Sequence, residues 1–391
     1  MMSDVTMNLK SFQLEHVAGE SEQPLLLNLR CHSKGLVVNA CAHAVFFCKL
    51  LNTIRQEWSE KSPQTAAIES IGCNSLKVGI IGGGHIGKQL VRALLDLSGI
   101  TAQNIHISTR RPEILSELQQ LGVECFYDNG QLVSWADVVF LCCLPSHLLH
   151  VCSGIRATLR EPCLVYSLVS AVPLPRLKQL LSYSAIVRPQ YQCASHNFTN
   201  EWRPNGTITA ALQDPAVVKA TCPGSPKGKV TVNAKWLEAV FYAALNSCMW
   251  QHLSHQETLK LLNSVCFSEP CHVCVEKETC PLFVCGSFVN QTFAASLTQQ
   301  DTFPWFDLTT VQLKETPFGQ LLARCVHLQN HLAQLYHASF EAHTDSRMSL
   351  CPATADPSMV TCHESMSTMT ALDVTGTESL EEVPHTDFET S

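Results

Sequence analysis

A run of apolar residues that ends abruptly in glycines constrains this chain more than any other feature. Val78, Ile80 and Ile81 lead into Gly82-Gly83-Gly84-His85-Ile86-Gly87, and Leu90, Val91, Leu94 and Leu95 follow at helical spacing. A buried strand that turns at once into an amphipathic helix is the opening unit of a doubly wound parallel sheet. Gly82, Gly84 and Gly87 fall on the G-x-G-x-x-G spacing of a dinucleotide-binding turn. Gly82 allows the tight turn, Gly84 the approach of a pyrophosphate, and Gly87 the close packing of helix on strand. The N–H groups and positive dipole end of the helix would meet the phosphate charge. A strand-to-helix turn without a ligand is the plainer alternative, but three glycines in register carry an entropic cost that such a turn does not require.

The end of the second strand, Ile105-His106-Ile107-Ser108, separates the two nicotinamide cofactors. An NAD site places Asp or Glu there, about 20 residues past the glycines, to accept from the ribose hydroxyls. This chain has Ser108-Thr109-Arg110-Arg111 and no carboxylate until Glu113. Two hydroxyls and two guanidiniums suit the 2′-phosphate of NADP, which an acid would repel. The predicted cofactor is NADP(H), with a solvated basic pair on a loop as the alternative.

Strand and helix signals alternate from Lys77 to about Arg188, the pattern of a parallel sheet covered on both faces. Pro112 to Leu121 reads as a helix stopped by Gly122, and Asp128 or Asn129 caps the next one. Asp137 to Cys143 is a continuous apolar strand ending at Leu144-Pro145. Cys163 to Leu168 and Ala185 to Val187 supply two more strands, and Ile208 to Leu212 reads as a late one. Val230 to Val265 reads as one long amphipathic helix, and Phe318 to Ala342 as another. The expected fold is α/β: a Rossmann-type parallel sheet covered by helices, followed by a mainly helical C-terminal domain. The boundaries are 1–75 for an N-terminal helical extension with a linker at Ser59 to Thr65, 76–212 for the NADP-binding domain, 213–343 for the helical domain and 344–391 for an acidic, disordered tail.

Charge and cysteine usage narrow the function classes. The net charge of −8 resides in the tail, where nine acids face one arginine, so the body is neutral. A neutral body without a basic stripe argues against nucleic acid. The apolar segment Gly35 to Leu51 is broken by Asn39, His43 and Lys49, and it is read as a packed helix rather than a membrane span. Twenty cysteines could suggest secretion, but Asp4, Glu15, Glu20 and Glu22 break the plan of a signal peptide. Reduced thiols and a cytoplasmic location are expected.

Val78 to Gly87, Ser-Thr-Arg-Arg-Pro at 108 to 112, Ala136 to Leu141 with Pro145, and Leu164 to Ser167 together resemble the cofactor domain of pyrroline-5-carboxylate reductases, over about residues 76 to 210. The resemblance implies that Gly82 to Gly87 hold the pyrophosphate, that Ser108, Thr109, Arg110 and Arg111 hold the 2′-phosphate, and that Leu144-Pro145 border the nicotinamide. It also implies a small-molecule substrate and a homodimer paired through the C-terminal helices. The chain departs from the family at Leu144-Pro145, where Lys-Pro is usual, and at Arg188-Pro189-Gln190, where Met-Pro-Asn is usual. The family's Pro-Gly-Gly-Thr-Thr substrate segment is missing. Cofactor binding therefore transfers, and proline synthesis does not.

Two clusters invite a metal reading. Cys271-His272-Val273-Cys274 with Cys280 and Cys285 has one C-x2-C gap, but the pairs lie too close for a zinc knuckle, so the expectation is a cysteine-rich connection without metal. His327 and His331, four apart without an intervening glutamate, read as a solvated helix face. The leading function is an NADP(H)-dependent oxidoreductase acting on a C=N or C=O group, with Ser167, Ser170 and Arg188 as candidates for the substrate side. A cofactor-binding sensor or scaffold without turnover is the alternative.

Overall fold

Val78–Ile81 becomes β1, and the whole sheet is laid on both sides of it. In the computed structural model the described residues are 23–61, 75–193, 206–225, 229–267 and 282–341. They open on α1 (Gln23–Lys61), followed by β1, α2 (His85–Leu97) and β2 (Ile105–Ser108). A 3-10 turn at Pro112–Leu115 leads into α3 (Ser116–Gln120), then β3 (Glu124–Phe126), α4 (Asn129–Trp135) and β4 (Val138–Leu141). The sheet is completed by α5 (Pro145–Ile155), β5 (Leu164–Ser167), α6 (Leu174–Leu181) and β6 (Ile186–Val187). Its strand order is β3-β2-β1-β4-β5-β6, and every pairing is parallel. The Asp128 carboxylate accepts from the Gln131 amide and caps α4, as its sequence position implied.

After the sheet come β7 (Tyr191–Cys193), α7 (Ile208–Ala211), α8 (Pro215–Thr221) and β8 (Val230–Val232), with β7 and β8 antiparallel. The rest is helical: α9 (Ala234–Trp250), α10 (His255–Cys266), α11 (Gln291–Ser296), α12 (Leu308–Leu313), α13 (Pro317–Arg324) and α14 (Val326–Ala338). The expected architecture, a Rossmann-type sheet with a mainly helical C-terminal region, is the one observed.

Alternate strand residues face two cores. Ile81, Leu141, Val165 and Ile186 pack with α4, α5 and α6. Ile80, Phe140, Tyr166 and Val187 pack with α1, α2 and α9. α1 is therefore no appendage. It is long and apolar enough to cross a membrane, yet 89% of that apolar window is buried inside the protein. At its C-terminal half Arg55 pairs with Asp137 at 2.7 Å, and Asn52 accepts from the Leu76 amide at 3.1 Å. Both contacts lie where strands begin, so α1 runs antiparallel to them across the sheet.

Four readings of local structure are corrected. Ile208 to Leu212 is helical, because the Thr207 hydroxyl caps the Ala210 amide and overrides the β-branched propensity. The single helix expected over 230–265 is a strand and two helices, broken where His252 takes φ +58° and Ser254 and Glu257 form a capping box. The helix expected from Phe318 breaks at Cys325, whose sulfur accepts from the Leu328 amide. The linker reading at Ser59 fails for its described part, since α1 continues to Lys61. Cys271, His272, Cys274, Cys280 and the acidic tail lie outside the described residues.

α12 lies along the free edge of β6 and closes it with one side chain. The Gln312 amide donates to Ile186 O at 2.6 Å, and its carbonyl accepts from the Arg188 N–H at 2.9 Å. Gln312→Ala leaves both groups without their partner and should cost about 1–3 kcal/mol. Urea unfolding should register this as a lower midpoint with an unchanged slope.

Candidate active site

Because all six strands run the same way, their carboxyl ends share one rim. The strand order reverses between β1 and β4, which opens a crevice there. The glycine turn sits at this place, and its glycines do different things. Gly82 takes φ +116°, and a Cβ on it would fall 2.8 Å from the Cys142 carbonyl oxygen. A Cβ on Gly87 would fall 2.0 Å from the Gly82 oxygen, so only hydrogen fits between helix and turn. Gly83 is closed in by Leu115 and Thr109.

Gly84 is the opposite case. It is exposed, and a Cβ there would meet nothing within 4 Å. It is the N-cap of α2, and no side chain satisfies the amides of the first helical turn. His85 beside it is exposed and Ile86 half-buried. The turn thus presents uncapped N–H groups at the positive end of a 13-residue helix, with open space in front.

At the end of β2 the four predicted residues divide. Ser108 is 1% exposed, and its hydroxyl donates to Asn129 Oδ1 at 2.7 Å. It braces the turn from behind, and the Gly82 amide donates to its carbonyl at 2.9 Å. Thr109 is half-buried with its hydroxyl toward Gly83. Arg110 and Arg111 are exposed; the Arg111 carbonyl accepts from the Ile114 amide at 3.4 Å, and neither guanidinium has a hydrogen bond or ion pair with a described residue. Across the crevice, Leu144 is 63% exposed at the start of α5, followed by an exposed Pro145.

On the far side of the rim Ser167 is buried, with its hydroxyl accepting from the Val169 amide at 3.3 Å. The Arg188 guanidinium donates through Nη2 to the Ser170 carbonyl at 2.5 Å. Behind them lies a polar network that the sequence did not reveal. His43 on α1 is fully buried, with Nε2 2.9 Å from Thr221 O and Nδ1 3.0 Å from the Tyr191 hydroxyl. A carbonyl can only accept, so Nε2 carries the proton and Nδ1 accepts from Tyr191. Burial pushes the imidazole down to about 4, which keeps it neutral. The Tyr336 hydroxyl donates to Thr221 Oγ1 at 3.0 Å, so α1, β7, α8 and α14 are joined behind the rim. His43 is 148 residues from Tyr191, and no local pattern marks the pair.

Among the described residues no group of three or more His, Cys, Asp or Glu side chains could hold a metal. His331 is not on a solvated face. It is buried, stacked on Phe267 at 4.7 Å, and its Nε2 lies 2.6 Å from Cys266 O.

Comparison with known proteins bears on the same segment. A family described as NADP oxidoreductase coenzyme F420-dependent matches residues 77–170. The mouse NADP-dependent oxidoreductase domain-containing protein 1 is 44% identical over 336 residues, covering 84% of this chain and 91% of its own. A pyrroline-5-carboxylate reductase of Corynebacterium melassecola is 40% identical over 83 residues, covering 21% of this chain and 30% of the enzyme. Among solved structures, a pyrroline-5-carboxylate reductase from Coxiella burnetii aligns with 68% of this chain and 99% of its own, at 17% identity and a TM-score of 0.29.

Proposed function

We propose a function from one premise: the chain belongs to the NADP-dependent oxidoreductase domain-containing protein 1 family, with a dinucleotide-binding domain related to pyrroline-5-carboxylate reductase. On this reading the crevice binds NADP(H), and hydride passes to or from a C=N or C=O carbon of a small molecule. The observation that carries it is the open, uncapped α2 N-terminus at Gly84, with the exposed guanidiniums of Arg110 and Arg111 at the end of the neighbouring strand.

The binding tasks would be shared among residues of the crevice. The amides from Gly84 to Gly87 would receive the pyrophosphate, and Gly82 and Gly87 hold them at that angle. Arg110, Arg111 and the Thr109 hydroxyl would receive the 2′-phosphate, while Ser108 fixes the loop through Asn129. Leu144 and Pro145 would line the nicotinamide side and exclude water from it. The cofactor, when bound, supplies the hydride. A reducing compartment and a cytoplasmic location belong to the same proposal, from the cysteine usage of the sequence. Of the C-terminal helices expected to pair two subunits, α9 is already buried by its own chain through Trp236, Val240, Phe241 and Leu245. A homodimer would therefore use another surface.

The double variant Arg110→Ala/Arg111→Ala tests the cofactor assignment. It should weaken NADPH binding by at least about tenfold and NADH binding by less than about twofold. Equal losses for both cofactors would remove the 2′-phosphate role. NADPH oxidation with a panel of imines and carbonyl acids tests turnover, and cofactor binding without turnover on any of them would favour the non-catalytic reading.

A further inference from the structure

We propose that Arg188 selects the substrate by receiving a small oxyanion, a carboxylate or a phosphate, carried on it. This rests on the reading of the crevice as a nicotinamide site. It is drawn from the charge balance around one side chain.

Arg188 follows β6 directly, and its N–H is held by Gln312. Of its guanidinium nitrogens, Nη2 donates to the Ser170 carbonyl, Nε is buried without an acceptor, and Nη1 has no partner among the described residues. Among the described residues no carboxylate pairs with the guanidinium. From Leu164 to Cys193, which spans β5, α6, β6 and β7, the chain contains no acid. β5, α9 and α12 are the elements packed against β6. The one acid within α9, Glu238, is taken by Lys235 at 2.8 Å and the Thr316 hydroxyl at 2.6 Å. The one acid at the start of α12, Asp307, is taken by Lys178 at 2.6 Å.

A half-buried guanidinium bonded to a single neutral carbonyl is poorly compensated, and burial pulls its pKa down. Its solvent-facing side is open to an anion that would neutralise it. Its position suits that role. Arg188 stands on the same rim as Leu144-Pro145, two strands away across β5. Two strand spacings are about 10 Å, room for a reacting carbon beside the ring and an anionic group a few bonds further on. Ser170 holds the guanidinium through its carbonyl, so the loop after β5 aims the donor.

The test uses full-length protein, with and without saturating NADP+, titrated calorimetrically with pyruvate, its neutral amide pyruvamide, and inorganic phosphate. Pyruvate should bind the NADP+ complex at least about tenfold tighter than pyruvamide. Arg188→Gln should abolish that preference, with NADPH affinity within about twofold of the parent. Arg188→Lys, which keeps a charge and a donor for Ser170, should retain part of it and guards against a folding defect in the glutamine variant. Phosphate binding tighter than pyruvate and lost in Arg188→Gln would identify the oxyanion as phosphate. A preference that survives Arg188→Gln, or binding of neither anion, overturns the proposal. Failure of the cofactor reading shows separately, as absent NADPH binding in the parent protein.

Discussion

Aspartate at position 84 should abolish NADPH binding without destabilising the protein, whereas alanine at position 87 should unfold it. The two glycines are three residues apart in one turn, and only their surroundings separate them. Gly84 has φ −77° and ψ −166°, a conformation open to any residue, and its missing side chain points into empty space. Aspartate is a better N-cap than glycine by a few tenths of a kcal/mol, so stability should hold or rise slightly. The same carboxylate would occupy the helix amides and repel the diphosphate. Loss of two charge-assisted hydrogen bonds, about 1.5–3 kcal/mol each, weakens binding by at least about a hundredfold. At Gly87 the added carbon would lie 2.0 Å from a backbone oxygen that cannot move without dismantling the turn. A clash of that size should exceed about 3 kcal/mol. Thermal melts and NADPH titration of both variants check the pair. An aspartate variant that still binds NADPH would remove the phosphate role from this turn.

The second large effect is a loss of stability in acid that runs through His43. Its ordinary pKa is 6.5, and burial lowers it to about 4 in the folded protein. The sign follows. Above pH 6.5 the imidazole is neutral in both states, and its stabilising bonds to Thr221 and Tyr191 are intact. Between 6.5 and 4 the unfolded chain takes up a proton that the folded chain refuses, so stability falls as pH falls through that window. The interval corresponds to about 3 kcal/mol. Urea unfolding between pH 7 and pH 4 should show this decline. In His43→Leu the starting stability should be lower by about 2–4 kcal/mol, because Tyr191 and the Thr221 carbonyl lose their partner. Its decline over the same window should be shallower. Parallel profiles for parent and variant would show that His43 is not the group responsible.

How much of this could be read from sequence depended on whether the cause was local. The glycine turn, the Asp128 cap and the parallel strands were legible, because each rests on residues within a few positions of one another. The breaks at Ser254 and Cys325 were not, since a capping side chain and a change of chain direction override an unbroken helical pattern. The segment that forms α1 reads in sequence as a helical extension packed on the main body. Its apolar face suggested packing, but only the fold shows it crossing the sheet between α2 and α9. The site divides in the same way. Gly82 to Gly87 and Arg110-Arg111 stood out by spacing and charge. The inward turn of Ser108 depends on Asn129, and the unbalanced Arg188 depends on carboxylates of α9 and α12 that are far away in sequence and already engaged.

On the proposed reading an uncapped helix end and two exposed guanidiniums form a binding site for NADP(H). Calorimetric titration of the full-length protein with NADPH and, separately, NADH addresses it most directly. One NADPH should bind per chain, at least about tenfold tighter than NADH. No heat of binding with either dinucleotide, or equal affinity for the two, would contradict it.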